Sequence, residues 1–469
     1  MMPIESINPA TGQTLERYEE MTGPQASAAI DAAHAAFLEW RKTGFAPRAG
    51  HMRKAAALLR ERAHEYGRLM TLEMGKPIRD GIAEAQKCAA GCDYYAEHAE
   101  RYLADEVVET APRKSFVAFR PLGVVLAVMP WNFPFWQVIR FAAPALMAGN
   151  AGVLKHASNV PGCALALEKL FVDAGFPENL FRTLMIGSRM VGDVIAHPHV
   201  RAVSLTGSTP AGRDVASKAG AMLKKAVLEL GGSDAYLVLS DADIEFTAAA
   251  CAKGRLVNSG QSCIAAKRFI VLEELKSRFE QQLVVEMAKA KLGDPLDQNT
   301  TVGPMARRDL RDELHEQVEK SIAKGARLLC GGKVPEGPGA FYPPTVLSDA
   351  HPGMPAYDEE MFGPVAAVIS ARDVNDAVRI ANDSEFGLGG GVFTRDLAIG
   401  EQLATDGIEA GSVFVNATVS SDPKLPFGGV KDSGYGRELS SYGIRAFVNI
   451  KTVVVAPHGG APISSHHSE

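Results

Sequence analysis

The stretch GVVLAVMPWNFPFWQVIRFAAPALMAGNAGVLKH, residues 123–156, decides the fold because it alternates between strand and helix patterns. Its two ends are short runs rich in Val and Leu, which are typical of buried strands, and the longer apolar segment between them predicts a helix. Similar short runs recur at AVSLTGS (202–208), DAYLVLS (234–240) and RFIVLEE (268–274). Strands that alternate with helices predict a parallel sheet covered by helices on both faces.

The patterns on either side of this stretch predict further elements. Residues 24–104 repeat apolar side chains at three- and four-residue intervals, which indicates a block of helices. SFVAFRP (115–121) and NIKTVVVAP (449–457) are expected to be exposed edge strands. A second α/β region is expected after residue 265, with strands near 268–273, 326–332, 364–370 and 411–416. In such an architecture a ligand binds at the carboxyl ends of the strands, between the two α/β units.

Composition and charge argue against several functional classes. The net charge is −6, so the basic surface that nucleic-acid binding needs is missing. The longest apolar run, GVVLAVMPW, is far shorter than the ~20 residues that cross a bilayer, and the first residues lack a leader pattern. The six cysteines form no C-x-x-C pair, which argues against metal sites and disulfides. We therefore expect a cytoplasmic protein without nucleic-acid, membrane or metal partners, in which Cys88 and Cys92 are buried small residues.

Two residues are candidates for covalent and acid–base chemistry. Cys263, in NSGQSCIAAKRF (258–269), is expected on a loop that enters a helix, where the helix dipole favours thiolate. The alternative is a buried, inert thiol. Glu229, in KKAVLELGGSDAYLVL (224–239), is a single acid within an apolar stretch, so burial should raise its pKa and suit it to act as a base. The alternative is a carboxylate at a helix end that forms a salt bridge.

Two further segments have the pattern of binding loops. In MPWNFPFWQVIR (129–140), Asn132 stands between Trp131 and Phe133, and a side-chain amide fixed in this way is a good donor to a developing oxyanion. The alternative is a rigid turn with an Asn cap. LTGSTPAGRDVA (205–216) predicts a strand, a Gly-Ser turn and a helix whose N-terminus binds phosphate, although this pattern alone is a weak signal.

The combination of motifs is far more specific than any one of them. The chain resembles the aldehyde dehydrogenase superfamily from INPATGQ to the terminal strand, and the interval of 34 residues between Glu229 and Cys263 also resembles that family. Within the superfamily it is most similar to bacterial NAD(P)-dependent succinate-semialdehyde dehydrogenases of the short type. The motifs that carry the resemblance are PWNFP (130–134), GNAGVLK (149–155), LTGS (205–208), LELGGSDA (228–235), NSGQSC (258–263), EEMFGPV (359–365) and PFGGVKDSGYGRE (426–438).

The resemblance implies a mechanism in which Cys263 attacks the aldehyde carbon and forms a thiohemiacetal. The amide of Asn132 and the backbone N–H of Cys263 hold the oxyanion. Hydride then leaves for the nicotinamide, and Glu229 activates the water that hydrolyses the remaining thioester. No metal is implied.

The resemblance also implies a nicotinamide cofactor, NAD or NADP, and a set of residues that bind it. Many members that prefer NAD carry a Glu three residues after Lys155, where it holds the 2′-hydroxyl, but this chain has Ser158. Loss of that carboxylate removes repulsion of a 2′-phosphate, so NADP should be accepted, and we expect use of both cofactors. The implied cofactor-binding residues are Trp131, Lys155, Ser158, Gly207, Ser208, Gly231, Glu360 and Phe362.

Substrate choice is implied by fewer residues. Arg140 stands where succinate-semialdehyde dehydrogenases place the arginine that receives the substrate carboxylate; the alternative is a helix Arg paired with a surface acid. Their second arginine is replaced by Val257, which favours a broader specificity as the competing hypothesis. Trp136 and Ser421 are expected to shape the substrate pocket, and Trp136 would also suit an aromatic or aliphatic aldehyde.

The implied fold is α/β, with a Rossmann-like cofactor domain (1–110 and 122–230), an α/β catalytic domain (231–444) and a small β oligomerisation arm (111–121 and 445–458). The tail, 459–469, is expected to be flexible. The arm should pair with a second chain, which gives a homodimer or homotetramer. Rival hypotheses are a CoA-acylating enzyme, a cysteine-dependent hydrolase and a non-catalytic binding or structural protein. A hydrolytic base at Glu229 argues against the first, and the presence of Asn132, Glu229 and Cys263 together argues against the last. A hydrolase would give no reason for Lys155 and Glu360, and no His stands in a recognisable dyad with Cys263.

Overall fold

The computed structural model describes residues 3–110 and 113–456, and its first part is a β-hairpin followed by helices. The hairpin, which the sequence analysis missed, consists of β1 (Ile4–Ile7) and β2 (Thr14–Tyr18). Cys88 and Cys92 are fully buried in the last of the helices, as expected for small apolar residues. The helical block predicted for residues 24–104 is confirmed as α1 (Gly23–Trp40), α2 (Phe45–Glu61), α3 (Ala63–Met74) and α4 (Ile78–Tyr102).

Local sequence explains where these helices begin and end. Thr22 and Gln25 form a capping box in front of α1, in which the Thr22 hydroxyl accepts from the Gln25 N–H and the Gln25 side chain accepts from the Thr22 N–H. Gly75 ends α3 because it adopts a left-handed conformation, with φ of 79°, that a residue with a Cβ rarely adopts.

The first α/β unit follows two antiparallel strands, β3 (Glu106–Thr110) and β4 (Arg113–Pro121). Its strands are parallel in the order β9-β8-β5-β6-β7, which confirms the parallel sheet predicted from residues 123–156. The elements of this unit are β5 (Val124–Met129), α5 (Trp136–Met147), β6 (Ala151–His156), α6 (Pro161–Asp173), β7 (Phe181–Thr183), α7 (Val191–Ala196), β8 (Val200–Thr206), α8 (Thr209–Ala221) and β9 (Lys225–Glu229).

The second α/β unit contains a seven-stranded sheet in the order β12-β13-β14-β11-β10-β16-β17, parallel except for the pair β12–β13. The four strands predicted after residue 265 are confirmed as β11, β12, β14 and β17. The elements are β10 (Ala235–Val238), α9 (Ile244–Leu256), β11 (Arg268–Leu272), α10 (Glu273–Ala288), α11 (Arg308–Ala323), β12 (Arg327–Cys330), β13 (Thr345–Ser348), α12 (Pro355–Asp358), β14 (Val365–Ala371), α13 (Val374–Asn382), β15 (Phe386–Gly387), β16 (Gly389–Phe393), α14 (Leu397–Gln402) and β17 (Ser412–Val415).

In the last part of the chain, one short strand joins the parallel sheet of the first α/β unit, and the others pair with β15 and β4. Its elements are β18 (Val430–Lys431), β19 (Gly434–Tyr435), α15 (Ser440–Ala446) and β20 (Val448–Val455). β19 pairs with β9, so that Gly434 lies opposite Glu229. The domain boundary predicted at residue 230 remains a prediction, and β19 joins the first sheet although it lies within the stretch predicted for the other domain.

The strand SFVAFRP is not the edge strand that the sequence analysis expected. β4 is the middle strand of an antiparallel sheet, with β3 on one side and β20 on the other. The error arose because the short, polar β3 was not recognised as a strand. The predicted arm residues 111, 112, 457 and 458, and the predicted tail, lie outside the described residues.

No helix within residues 3–110 and 113–456 combines the length and the apolar character needed to cross a membrane.

Glu84 on α4 fixes the start of α5, the helix that follows the PWNFP motif. One carboxylate oxygen accepts the backbone N–H groups of Phe135 and Trp136, each at 2.9 Å, and the other forms an ion pair with Lys76. Both partners of that ion pair are almost completely buried. Because the first N–H groups of a helix have no acceptor within the helix, Glu84 serves as the cap of α5.

We expect Glu84→Ala to lower the free energy of unfolding by about 3–5 kcal/mol, because it leaves a buried ammonium without its counter-ion and two buried N–H groups without an acceptor. Urea unfolding followed by fluorescence measures the change. Glu97→Ala, an exposed position on the same helix, is the control and should shift stability by less than about 0.5 kcal/mol. Equal midpoints for the two variants would contradict this role of Glu84.

Candidate active site

Cys263 lies in a tight turn between a 3₁₀ turn (Val257–Gly260) and β11, and not on a loop that enters a helix as the sequence analysis expected. Asn258 and Ser259 have φ of 53° and 57°, a left-handed conformation that few residues other than glycine adopt. Burial raises the pKa of the Cys263 thiol to about 12, and the positive charges of Arg140 and Lys267 oppose that rise. A nearby cation, and not a helix dipole, is therefore what favours thiolate here.

Lys267 holds the Cys263 turn in place, and the sequence analysis missed it. Its buried ammonium donates to the carbonyl oxygens of Ser262 (3.1 Å), Cys263 (2.8 Å) and Ala265 (3.2 Å). It also lies 3.6 Å from a carboxylate oxygen of Glu360. The only signal in the sequence is a lysine within an apolar stretch that leads into a strand, which does not distinguish it from a surface lysine.

Asn132 connects the first α/β unit to the Cys263 turn. Its segment lies between β5 and α5, and its side-chain amide donates to the Gln261 carbonyl at 3.1 Å. In return, the Asn258 side chain donates to the Asn132 carbonyl at 2.7 Å. An Asn amide carries two N–H donors, so one remains for an oxyanion while the other holds the turn.

Glu229 is the last residue of β9 and is 2% exposed. Neither of its carboxylate oxygens has a hydrogen-bond partner among the residues that the structure describes. Burial, and then the negative charge of Glu438, raise its pKa well above the usual value, while Arg140 and Arg437 act in the opposite direction. The burial and raised pKa expected of Glu229 are confirmed, whereas the alternative of a carboxylate at a helix end is wrong because Glu229 ends a strand. Its role as a base remains a prediction.

One cavity of about 270 Å³ contains most of the predicted site. It lies at the carboxyl ends of strands of the first α/β unit, as expected for a ligand site in this architecture. The second unit contributes α11 and the segments that precede β11 and β14, so the expectation of carboxyl ends is wrong for that unit. Glu229 is not among the residues that line it, although its neighbours Thr206 and Leu230 are. The predicted residues that line the cavity are Trp131, Asn132, Gly207, Ser208, Gly231, Cys263, Glu360 and Phe362.

The lining of this cavity fits a dinucleotide. Ser208 is the N-cap of α8, and its side chain makes no capping bond, so the helix N-terminus is open to an anion. Glu360 is held by the Gly232 N–H at 3.0 Å, and a Cβ on Gly231 would lie only 2.5 Å from its carboxylate. A side chain at position 231 would therefore displace the Glu360 carboxylate. Such a carboxylate suits a ribose, since it accepts hydrogen bonds from hydroxyl groups.

The aromatic pair Trp131 and Phe362 forms another wall of the cavity. Their rings meet edge to face, with centroids 5.7 Å apart and planes at 88°. A flat apolar ring such as nicotinamide fits against walls of this kind.

Two of the predicted cofactor residues do not line the cavity around Cys263. Lys155 lies near the carboxyl end of β6, opposite Val128 of β5, and burial lowers its pKa. Ser158 is exposed and lines a different cavity of about 700 Å³, together with Glu20 and Arg307.

The predicted substrate residues form two groups. Arg140 is buried and forms an ion pair with Glu438, which is also buried; its guanidinium lies 4.7 Å from the centre of the Phe427 ring and donates to the Thr206 hydroxyl at 3.3 Å. Trp136 donates through its indole N–H to the Ser421 hydroxyl at 3.1 Å. The acid paired with Arg140 is thus internal and not on the surface.

Comparison with known proteins agrees with this geometry. The profile of the aldehyde dehydrogenase family matches residues 2–453. A probable succinate-semialdehyde dehydrogenase (NADP+) from Synechocystis is 50% identical over 455 residues, which cover 97% of this chain and 100% of the relative. Succinate-semialdehyde dehydrogenase (NADP+) 1 of Mycobacterium tuberculosis is 50% identical over 458 residues, with coverage of 97% and 100%.

A solved structure shows the same fold. Succinic semialdehyde dehydrogenase from Streptococcus pyogenes, in complex with NADP+, matches with a TM-score of 0.94 and 37% identity, over 96% of this chain and 99% of that chain. The chain therefore belongs to the aldehyde dehydrogenase family and is an NAD(P)-dependent oxidoreductase that acts on aldehydes.

Proposed function

We propose that the chain oxidises succinate semialdehyde to succinate, with Cys263 as nucleophile, Glu229 as base and NADP as the preferred cofactor. The observation that carries the proposal is the single cavity that contains Cys263, Asn132 and Glu360 where two parallel sheets meet. The names of the relatives that span nearly the whole chain support the substrate and the cofactor.

The first steps belong to Cys263 and Asn132. Loss of the thiol proton is favoured by the positive charges of Arg140 and Lys267, and the thiolate then forms a bond to the aldehyde carbon. The negative charge that develops on the aldehyde oxygen is stabilised by the Asn132 amide and the Cys263 N–H; one such donor is typically worth about 100- to 1000-fold in rate. Bound NAD(P)+ supplies the acceptor for the hydride that leaves the thiohemiacetal carbon.

Glu229 completes the reaction by hydrolysis. A thioester remains on Cys263 after oxidation, and Glu229 removes a proton from the water that attacks it. Its raised pKa suits this role because a carboxylate of higher proton affinity is a stronger base. A base of this kind favours transfer of the acyl group from Cys263 to water and argues against its transfer to CoA.

In the proposed binding mode, different residues contact successive parts of the dinucleotide. Ser208, Gly207 and the first turn of α8 hold the pyrophosphate, and Glu360 holds the nicotinamide ribose. Trp131 and Phe362 flank the nicotinamide, and Lys155 and Ser158 lie towards the adenosine.

We also propose that the chain forms a homodimer or homotetramer in the cytoplasm. The three-stranded sheet presents exposed apolar side chains, including Val107 (75% exposed) and Ile450 (60% exposed), and the outer edges of β3 and β20 are unpaired within the described chain. Exposed edges of this kind pair readily with a second chain. The cysteines of the described chain are free thiols, which suits a reducing compartment.

A broad-specificity aldehyde dehydrogenase is the second candidate. It is favoured by the buried ion pair between Arg140 and Glu438, which already neutralises the arginine expected to receive a substrate carboxylate. The two candidates differ in the substrates that they use best.

The substrate proposal is tested by initial rates of NADPH and NADH formation with succinate semialdehyde, butanal and benzaldehyde. We expect kcat/KM for succinate semialdehyde to exceed that for butanal by about tenfold or more, since a charged contact to the carboxylate contributes about 1.5–3 kcal/mol. Equal or higher values for the uncharged aldehydes would replace this proposal with the broad-specificity alternative.

Glu229→Gln should separate the two halves of the reaction. We expect a rapid burst of NADPH of about one equivalent per active site, followed by a steady state slowed by about 100-fold or more, because removal of a general base typically costs that much. Stopped-flow absorbance at the NADPH band measures both phases. Glu178→Gln, an exposed carboxylate on the same α/β unit, should turn over normally. A missing burst with a slow steady state would instead place Glu229 before hydride transfer.

The pH dependence of the wild-type steady state follows from the same carboxyl. Because its pKa is raised, Glu229 is protonated and inactive as a base at low pH, and hydrolysis should accelerate as pH rises through its pKa. Glu229→Gln should lose this rise.

Ser158→Glu should shift cofactor preference towards NAD. A carboxylate at this position repels the 2′-phosphate, so kcat/KM for NADP should fall by about tenfold or more while that for NAD is kept. Ser158→Gln, which has a neutral side chain of the same size, is the control. Equal losses for both cofactors in the Glu variant would show that residue 158 does not face the 2′-position.

A further inference from the structure

The carboxylate of Glu360 lies beside the proposed nucleophile. It accepts the Gly232 N–H at 3.0 Å, and a Cβ on the same Gly232 would lie 2.8 Å from the carbonyl oxygen of Cys263. The Cys263 backbone and the Glu360 carboxylate therefore pack against one residue, and both side chains line the same cavity. A carboxylate here is suited to a ribose, but its negative charge disfavours a second negative charge on the neighbouring thiol.

Four charged side chains act on the pKa of the Cys263 thiol, and they act in opposite directions. The negative charges of Glu360 and Asp234 raise this pKa, as burial does. The positive charges of Arg140 and Lys267 lower it. The thiolate that attacks an aldehyde therefore depends on cations that balance the two carboxylates.

The two cations have different partners. Arg140 forms its ion pair with Glu438. The ammonium of Lys267 lies 3.6 Å from Oε1 of Glu360. Within residues 3–110 and 113–456, no other cation lies at ion-pair distance from Glu360, so Lys267 is the residue that balances this carboxylate.

The two carboxylate oxygens of Glu360 face different neighbours. Oε1 accepts from Gly232 and faces Lys267. Oε2 lies on the side of Gly231, where a Cβ would come within 2.5 Å of it, and Gly231 lines the cofactor cavity. One oxygen thus meets a positive charge of the protein, while the other is placed for the hydroxyl groups of a ribose.

The ammonium of Lys267 is fixed in this place by neutral groups. The residue is 1% exposed, and its three donors are used by the carbonyl oxygens of Ser262, Cys263 and Ala265, at 3.1, 2.8 and 3.2 Å. Because carbonyl groups have no net charge, these bonds hold the ammonium without neutralising it. Its full positive charge remains to balance Glu360.

The other charged groups around Lys267 have smaller effects on its ionisation. Burial lowers the pKa of Lys267, and the largest opposing effect is that of Glu360. Asp234 acts in the same direction as Glu360, and Arg255 acts against it. The pair formed by Lys267 and Glu360 is thus the main electrostatic interaction at this place.

We propose that Lys267 is a positioning residue that keeps a positive charge between the Cys263 turn and Glu360, so that a carboxylate can bind the nicotinamide ribose without suppressing the thiolate beside it. This inference rests on the proposed roles of Cys263 and Glu360, and it adds the residue that makes the two compatible.

The test follows alkylation of Cys263 by iodoacetamide as a function of pH, without cofactor, by mass spectrometry of the peptide that contains Cys263. Lys267→Met, which removes the charge but keeps the length of the side chain, should raise the midpoint of the profile by about one pH unit or more. Glu360→Gln should lower the midpoint, because it removes the opposing charge. Lys333→Met, at an exposed position of the same α/β unit, is the control and should match the wild type.

The double variant Lys267→Met/Glu360→Gln separates charge from structure. Its midpoint should return towards that of the wild type, because the negative charge that Lys267 balanced is gone. If Lys267 only shaped the turn, loss of the Glu360 charge would not restore the profile. A double variant as impaired as Lys267→Met, or an unchanged midpoint in Lys267→Met, overturns the proposal. If Lys267→Met does not fold, an unchanged midpoint in Glu360→Gln overturns it as well.

The NADPH burst shows whether the inference or the proposed function fails. Lys267→Met should slow the burst by about tenfold or more near neutral pH, since the thiolate fraction falls about tenfold for each pH unit below the pKa. The rate should recover as pH rises. A normal burst near neutral pH in Lys267→Met overturns the role of Lys267 alone, whereas a burst in Cys263→Ala overturns the proposed function itself.

Discussion

The active site depends on the reciprocal hydrogen bonds between the Asn132 segment and the Cys263 turn. Asn132 donates to the Gln261 carbonyl, and Asn258 donates back to the Asn132 carbonyl. These bonds connect the first α/β unit to the second at the point where the nucleophile and the oxyanion donor must meet. Because protein interiors are closely packed, a shift of either segment would misplace both groups, and small misplacements are costly in catalysis. Lys267 adds rigidity from the other side of the turn.

The charges behind this junction form a buried network of two carboxyl groups and one guanidinium. Arg140 is the ion-pair partner of Glu438, and both influence Glu229 through space. Burial raises the pKa of Glu229 and of Glu438, and the negative charge of Glu438 raises the pKa of Glu229 further. Arg140 also favours the Cys263 thiolate. One buried cation thus influences both the proposed nucleophile and the proposed base.

The sequence predicts the parallel sheets and the helical block well, because buried strands and amphipathic helices have strong periodic patterns. It fails for β3, which is short and polar, and hence for the position of β4 within its sheet. The motif residues are found because several rare patterns coincide. The prediction that Cys263 lies on a loop entering a helix was wrong, because over so few residues the sequence of a turn before a strand resembles that of a turn before a helix. Lys267 was missed because its contacts with the Cys263 turn and with Glu360 are defined only by tertiary structure.

In the proposed reaction, oxidation passes through a thioester on Cys263 that Glu229 hydrolyses. The most direct measurement is intact-protein and peptide mass spectrometry of Glu229→Gln, quenched with acid after brief exposure to succinate semialdehyde and NADP+. We expect a succinyl group on the peptide that contains Cys263, and no such group in the double variant with Cys263→Ala. A Glu229→Gln protein that has formed NADPH but carries no acyl group, or carries it on another residue, would rule out a thioester on Cys263 that Glu229 hydrolyses.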